Sequence, residues 1–321
     1  MKKLISISLA VILLLSAFSI SAFSFQQEDF DINNLTIDEL SAMDIDELQQ
    51  VLADFERVYD PFDTYETDPL MELNKEPQIQ PYWTSGDTDI WGNYTETGSH
   101  EIITMMAVIM LLNDIGYTSG NEATAVVATL TIGLASILPD RKPLSGALTL
   151  FAGHFYDPDT DKNYLKIGDT AKDNLVQFYN KSINEYQKNV YSDKFFEYVG
   201  RAVHYIQDAC VPHHAANITS LQYNGAHSVF ENYVNGYMEN LLENPHSFPY
   251  QKYLDMHEKS VEQLIYEPAK VAKSLINTVI DVNDKSQWNS TMRTTVFNAI
   301  DYTAFVLYKL GVDSGILVPL Y

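Results

Sequence analysis

From residue 83 onward, apolar side chains return at three- and four-residue intervals, the spacing that gathers them on one side of a 3.6-residue helical turn. The pattern predicts helices over 100–114, 123–138, 169–186, 193–208, 227–242, 256–282 and 291–310. Gly116, Gly120, Pro139, Pro143, Pro158, the 217–225 loop, Pro245 and Pro249 fall between them and supply the breaks. Period-two alternation is scarce. The expectation is an all-α fold, a single multi-helix globular domain over 83–321, long enough to bury a core as one unit.

The front of the chain has a different composition. Residues 1–22 begin with two lysines, continue as an apolar run and end in small residues near Ala22, the layout of a secretory signal peptide. A signal anchor left in place is the other reading. Residues 23–82 are acidic: the first 82 residues hold 16 of the 43 Asp and Glu but only 4 of the 20 Lys and Arg. Within them I-D-E-L-S-A-M-D-I-D-E-L-Q-Q-V-L spaces its apolar residues for one amphipathic helix, surrounded by Asp-, Pro- and Asn-rich linker. A removable acidic pro-segment follows from this, with a permanent acidic arm as the alternative. No later stretch is long and apolar enough to cross a bilayer, the nearest being the 16 residues 123–138. A secreted, extracellular protein without a transmembrane segment is therefore expected. The lone Cys210 allows no internal disulfide and reads as a small buried hydrophobe.

Chemistry concentrates between Arg201 and Glu231. His204 and Asp208 are four residues apart, His213 and His214 follow, and His227 and Glu231 are again four apart. On a helix, i and i+4 project from one face about a turn apart, so each pair can close on a single cation. One such pair alone would read as a surface ion pair. Two within one short span, with histidines between, point to a metal cluster. Imidazole mixed with carboxylate suits Zn²⁺ better than Ca²⁺ or Mg²⁺, which take oxygen shells. There is no Gly-rich phosphate loop, no G-x-S-x-G elbow and no basic run suited to a nucleic-acid backbone. Metal-assisted hydrolysis is then the simplest chemistry.

H-Y-I-Q-D-A-C-V-P-H-H-A-A-N-I-T at 204–219, followed by G-A-H-S-V-F-E-N-Y-V at 225–234, resembles the central motif of the bacterial zinc-dependent phospholipases C. T-G-S-H at 97–100 and H-F-Y-D-P-D-T at 154–160 extend the resemblance over most of the chain after Trp83. It implies a helical domain of the zinc phospholipase C and single-strand nuclease type with three zinc ions. It also implies cleavage of phospholipids to diacylglycerol and a phosphorylated headgroup by zinc-activated water. Asp140, His154 and His204 would hold one zinc, with Asp208 bridging; His214, His227 and Glu231 would hold the second. His100, Asp208 and the free amine and carbonyl of a mature N-terminal tryptophan would hold the third. Trp83 is the candidate for that residue, with Trp91 as competitor. The family motif places this ligand six residues after the bridging Asp, which implies His214 rather than its neighbour His213, and His213 is then expected to point to solvent or a second shell.

The same resemblance makes Asp140 the proton acceptor for the attacking water and Phe151 an aromatic contact for a choline group. Two departures set headgroup preference apart from the family: Gly86 stands where an acidic residue is expected if Trp83 is the start, and Arg141 where an aromatic is expected. Arg141 is then assigned to an anionic headgroup or the phosphate. Outer-shell hydrogen bonds are expected from Asn217, Tyr205 and Asn232, and His246 and His257 are expected at the surface. The partner is a phospholipid at a membrane surface, met by a monomer, with no nucleic acid. Larger family toxins append a C-terminal β-domain; here the helical pattern runs to Leu310, so strong lysis of intact cells is not expected. The alternative function is a zinc-dependent single-strand nuclease or another phosphodiesterase on the same fold. Against it, such nucleases usually end their last pair in Asp rather than Glu.

Overall fold

The computed structural model describes residues 35–58, 99–116, 122–141, 151–190, 192–236 and 247–317. Among them the elements are helices throughout, with a single isolated bridge between Asp157 and Lys162. In chain order the helices are α1 Ile37–Ala42, α2 Ile45–Val58, α3 Ser99–Asp114, α4 Glu122–Ser136 and α5 Leu138–Arg141. They continue with α6 Ala171–Lys188, α7 Asp193–Ala209, α8 Pro212–Ala215, α9 Ala226–Asn235, α10 Tyr250–His257, α11 Val261–Ser274 and α12 Trp288–Asp313.

α7 is the centre. Ser192 caps its start by accepting from the Phe195 amide at 3.1 Å, and almost every side chain from Phe195 to Ala209 is buried. α4, α6 and α12 pack around it. Where α7 meets α4 the approach is too close for any side chain: a Cβ built on Gly200 would lie 2.3 Å from Ala135 Cβ and 2.4 Å from its carbonyl carbon. Gly200→Ala must push the two helices apart, and a loss of roughly 1–3 kcal/mol, read as a lower Tm, is the expected result.

α3 is buried on nearly all sides, from Ser99 to Leu111 apart from Met106. Its far end is also fixed: Asp114 accepts from Tyr253 Oη at 2.9 Å, the Phe248 amide at 2.8 Å and Ser247 Oγ at 2.7 Å, tying the α10 region to it. α12 packs along α3 with Trp288, Met292, Thr295, Val296, Ala299, Ile300 and Thr303 buried at helical spacing.

The part of the acidic segment read as an amphipathic helix joins this core. Residues 36–58 form two helices rather than one, because each has its own capping box. Thr36 exchanges bonds with Glu39, and Asp44 with Glu47. Leu40, Leu48, Leu52 and Phe55 are at most 1% exposed and sit in the same cluster as the apolar residues of α3 and α4. The signal in T-I-D-E and D-I-D-E was present in the sequence and outweighs its acidity. The signal-peptide residues, Trp83, Gly86, Trp91 and His246 lie outside the described residues.

One predicted helix divides. Residues 256–282 are not continuous: Ser260 accepts from Gln263 N and starts α11 afresh after α10 ends at His257. A 3₁₀ turn, Ile276–Thr278, follows α11. His257 is not a bare surface residue either, since its Nε2 is 2.9 Å from Asp313 Oδ1.

Candidate metal centre

Six elements deliver the polar side chains to one buried place. α3 presents His100 from its first turn, α5 presents Asp140, and the 3₁₀ turn Ala152–His154 presents His154. The last turn and a half of α7 carries His204, Gln207 and Asp208. Pro212, at the first position of α8, starts the helix that holds His213 and His214, and α9 holds His227 and Glu231.

Asp208 is the hub. Its carboxylate lies 2.8 Å from His154 Nδ1, 3.1 Å from His204 Nε2, 3.4 Å from His214 Nδ1 and 3.6 Å from His100 Nε2. Asp140 stands 3.6 Å from both His154 Nδ1 and His204 Nε2 and 3.9 Å from His100 Nε2. On the other side, Glu231 Oε1 is 2.8 Å from His227 Nε2 and 3.2 Å from His214 Nε2. Three triads have donor atoms close enough to share an ion: His100 with Asp140 and His204, His154 with His204 and Asp208, and His214 with His227 and Glu231.

A cation fits this donor set. Imidazole nitrogens approach each other at 2.9 Å in two places, His204 Nε2 to His154 Nδ1 and His214 Nε2 to His227 Nε2. Asp140 Oδ2 is buried with no hydrogen-bond partner. Ring nitrogens and carboxylates packed this closely, with a buried carboxylate oxygen left unsatisfied, are costly without a positive charge among them. The nitrogen and oxygen mix is one that zinc takes.

Electrostatics favour the deprotonated forms that a cation needs. Burial opposes the Asp208 carboxylate, but His204, His214 and His154 outweigh it and hold the group well below the usual carboxylate range. Burial likewise opposes the Glu231 carboxylate, and His227 and His214 again win and lower it. Burial, aided by His204, keeps His100 neutral. Asp140 and His214 behave differently. Burial, with Asp208 adding, pushes Asp140 up to about 8 against the pull of His154. For His214 burial works downward, yet Asp208 and Glu231 raise it to about 9.

The rings are oriented by groups the sequence reading did not select. His100 Nδ1 faces Gln207 Oε1 at 2.6 Å, while Gln207 Nε2 donates to Thr104 Oγ1 at 2.8 Å and Thr303 Oγ1 at 3.3 Å. His204 Nδ1 faces the Ser136 carbonyl at 2.8 Å, and His214 Nδ1 the His154 carbonyl at 3.0 Å. The expected donors have other places. Asn217 donates to the Lys162 carbonyl, Tyr205 is a ring neighbour of His154 and His204, and Asn232 is exposed. Gln207 was findable, since it shares a helical face with His204 and Asp208. Gln207→Leu keeps the volume and removes the amide, and a 10–100-fold loss of zinc affinity by competitive chelation is expected.

His213 does not reach solvent. It is fully buried, stacked on His227 with centroids 5.3 Å apart, and its pKa is driven down by burial. Cys210 is buried as a hydrophobe, its thiol pKa raised by burial. Phe151 lines a cavity of about 470 Å³ with Phe155, Tyr164, Asn217, Leu221 and His227, beside the Glu231 triad. The backbone of Arg141 closes α5; its side chain lies outside the described residues.

An all-helical body that gathers histidines and carboxylates around cation sites defines a helical metalloprotein. Residues 131–296 match the family described as Zinc dependent phospholipase C, and the chain belongs to that family. Phospholipase C of Paraclostridium bifermentans is 28% identical over 250 residues, covering 70% of this chain and 61% of the relative. Phospholipase C of Bacillus cereus is 34% identical over 136 residues, covering 42% and 46%. Among solved structures, the alpha toxin of Clostridium absonum aligns with a TM-score of 0.61 at 25% identity, covering 68% of this chain and 64% of that one. The chain thus spans less than two thirds of the length of these relatives. Among the described residues no helix is long and apolar enough to cross a membrane.

Proposed function

We propose that the protein is a secreted zinc metallohydrolase that cleaves the phosphodiester bond of phospholipids, releasing diacylglycerol and a phosphorylated headgroup. The observation that carries this reading is the convergence of Asp140, His154, His204 and Asp208 with His214, His227 and Glu231 in one buried cluster that opens on the Phe151 cavity. Bound zinc supplies Lewis acidity, polarising phosphoryl oxygens and making water ionise near neutral pH.

In this proposal three ions are held. His154, His204, Asp140 and Asp208 take the first, and His214, His227 and Glu231 the second. His100 and Asp208, with the amine and carbonyl of Trp83, take the third. Asp140 also receives the proton of the attacking water. Phe151 offers its face to a cationic headgroup and Arg141 its charge to the phosphate. Residues 1–22 act as signal peptide and 23–82 as a pro-segment whose removal frees the Trp83 amine. The catalytic domain, 83–321, then works as a monomer at a membrane surface.

One preparation tests these points together. The exported protein is analysed for its N-terminal residue and bound metal, then offered phosphatidylcholine and, separately, single-stranded DNA. Headgroup release that stops with chelator and returns with zinc is the expected result. DNA cleavage without lipid cleavage would overturn it, and an N-terminus other than Trp83 would remove that residue from the third site.

A further inference from the structure

Large apolar side chains are exposed at seven described positions, and four of these, Leu165, Ile167, Leu221 and Tyr223, stand on two neighbouring loops beside the Phe151 cavity. Tyr164 of the first loop and Leu221 of the second line that cavity, and Asn217 Nδ2 joins the loops by donating to the Lys162 carbonyl at 3.1 Å. The exposure is large, 77% for Leu221 and 66% for Ile167. Exposed apolar side chains clustered at the rim of a site mark an interaction surface.

Neither loop is free to fold its apolar side chains inward. Buried Asn163 donates through Nδ2 to the carbonyls of Ile167 at 2.7 Å and Asp169 at 3.0 Å, clasping the first loop from beneath. The Tyr164 ring stands edge-on to Phe155, centroids 4.8 Å apart, and Lys166 holds a φ of 61°. In the second loop Gln222 Oε1 accepts from the Thr219 amide at 2.8 Å, and Tyr223 and Asn224 both have positive φ. A left-handed backbone at residues other than glycine is a cost that such clasps sustain.

Charge points to the occupant. In a chain of net charge −23, the first loop places exposed Lys162 and Lys166 beside Leu165 and Ile167, while Asp161 just before it is bonded by Lys172. Apolar tips interleaved with lysines suit the boundary between acyl chains and phosphates. We propose that the loops 162–168 and 219–225 seat the protein on a phospholipid bilayer. Leu165, Ile167, Leu221 and Tyr223 enter the acyl boundary, Lys162 and Lys166 meet lipid phosphates, and the cavity mouth is held against the surface. The proposal rests on the phospholipase reading of the adjoining site.

The test compares the exported, zinc-loaded protein with a Leu165→Ser/Ile167→Ser/Tyr223→Ser variant, all three residues standing outside the cavity lining. Sedimentation uses vesicles of a non-hydrolysable phosphonate analogue of phosphatidylcholine with a minority of phosphatidylglycerol. The variant is expected to lose at least roughly tenfold in vesicle partition, while its Tm and its cleavage of monomeric short-chain phosphatidylcholine remain those of the parent. Lys162→Ala/Lys166→Ala is expected to lose several-fold on the same vesicles, and the difference should vanish in high salt. Partition that ignores the three substitutions, absence of partition by the parent, or loss of self-association as the sole change in the variant would overturn the proposal. Vesicle binding that depends on these side chains without any cleavage of short-chain lipid would instead sink the phospholipase reading and leave the docking surface standing.

Discussion

Asp208→Asn is expected to lower phospholipid turnover by on the order of 10³-fold and to reduce the zinc content of the purified protein. The amide has the shape of the carboxylate, so α7 and its packing should survive and the far-ultraviolet circular dichroism should not change. What disappears is the negative charge at the hub, within 3.6 Å of ring nitrogens from His154, His204, His214 and His100. Four imidazoles then surround a neutral group that offers a cation one weak oxygen. Elemental analysis together with headgroup release is the measurement. A variant with full zinc and parental turnover would remove Asp208 from the centre of the proposed site.

The second large effect is on stability. Stripping zinc with a chelator is expected to lower the Tm by about 10 °C at pH 8, since a cation bound to the native state alone contributes several kcal/mol. The gap should also widen as pH rises from 6.5 to 9, and the sign follows from two groups. Protonated Asp140, raised to about 8 in the metal-free fold, favours the native state most at low pH and less as pH climbs toward 8. Protonated His214, raised to about 9, makes a contribution present in full below about 6.5 and lost as pH passes 9. The metal-free protein should therefore soften across this window. The loaded protein should not, because rising pH supplies the deprotonated ligands that the cation needs. Thermal melts at pH 6.5, 7.5 and 9, with and without chelator, decide it, and a gap that narrows with pH would contradict the assignment of these two residues to the cluster.

How much could be read beforehand differs from helix to helix. α3, α7 and α12 were legible because each is a long run rich in apolar residues, with Ser192 at the start of α7 and Gly116 after α3 as local boundary signals. The division of 256–282 was not, because Ser260 with Gln263 interrupts a run whose apolar spacing continues across the gap. In the acidic segment the amphipathic spacing was legible and the break at Met43–Asp44 was not: Asp38, Glu39, Asp44 and Glu47 are exposed while Leu40, Leu48, Leu52 and Phe55 carry the packing. For the metal centre, the pairs His204 with Asp208 and His227 with Glu231 were visible because four-residue spacing on a helix is a local property.

The sequence by itself determined the helical class, the local i,i+4 pairs and the family to which the chain belongs, since each depends on residues near one another or on a motif of fixed spacing. Only the tertiary structure decided that α3, α5 and the turn at His154 bring His100, Asp140 and His154 to the face of α7. It also decided that Gln207 orients His100, that His213 is shut inside against His227, and that two clasped loops hold their apolar side chains outward. These facts depend on how helices far apart in the chain cross one another. Crossings are fixed by packing, down to the absent side chain of Gly200 against Ala135, and no pattern read along the chain contains them.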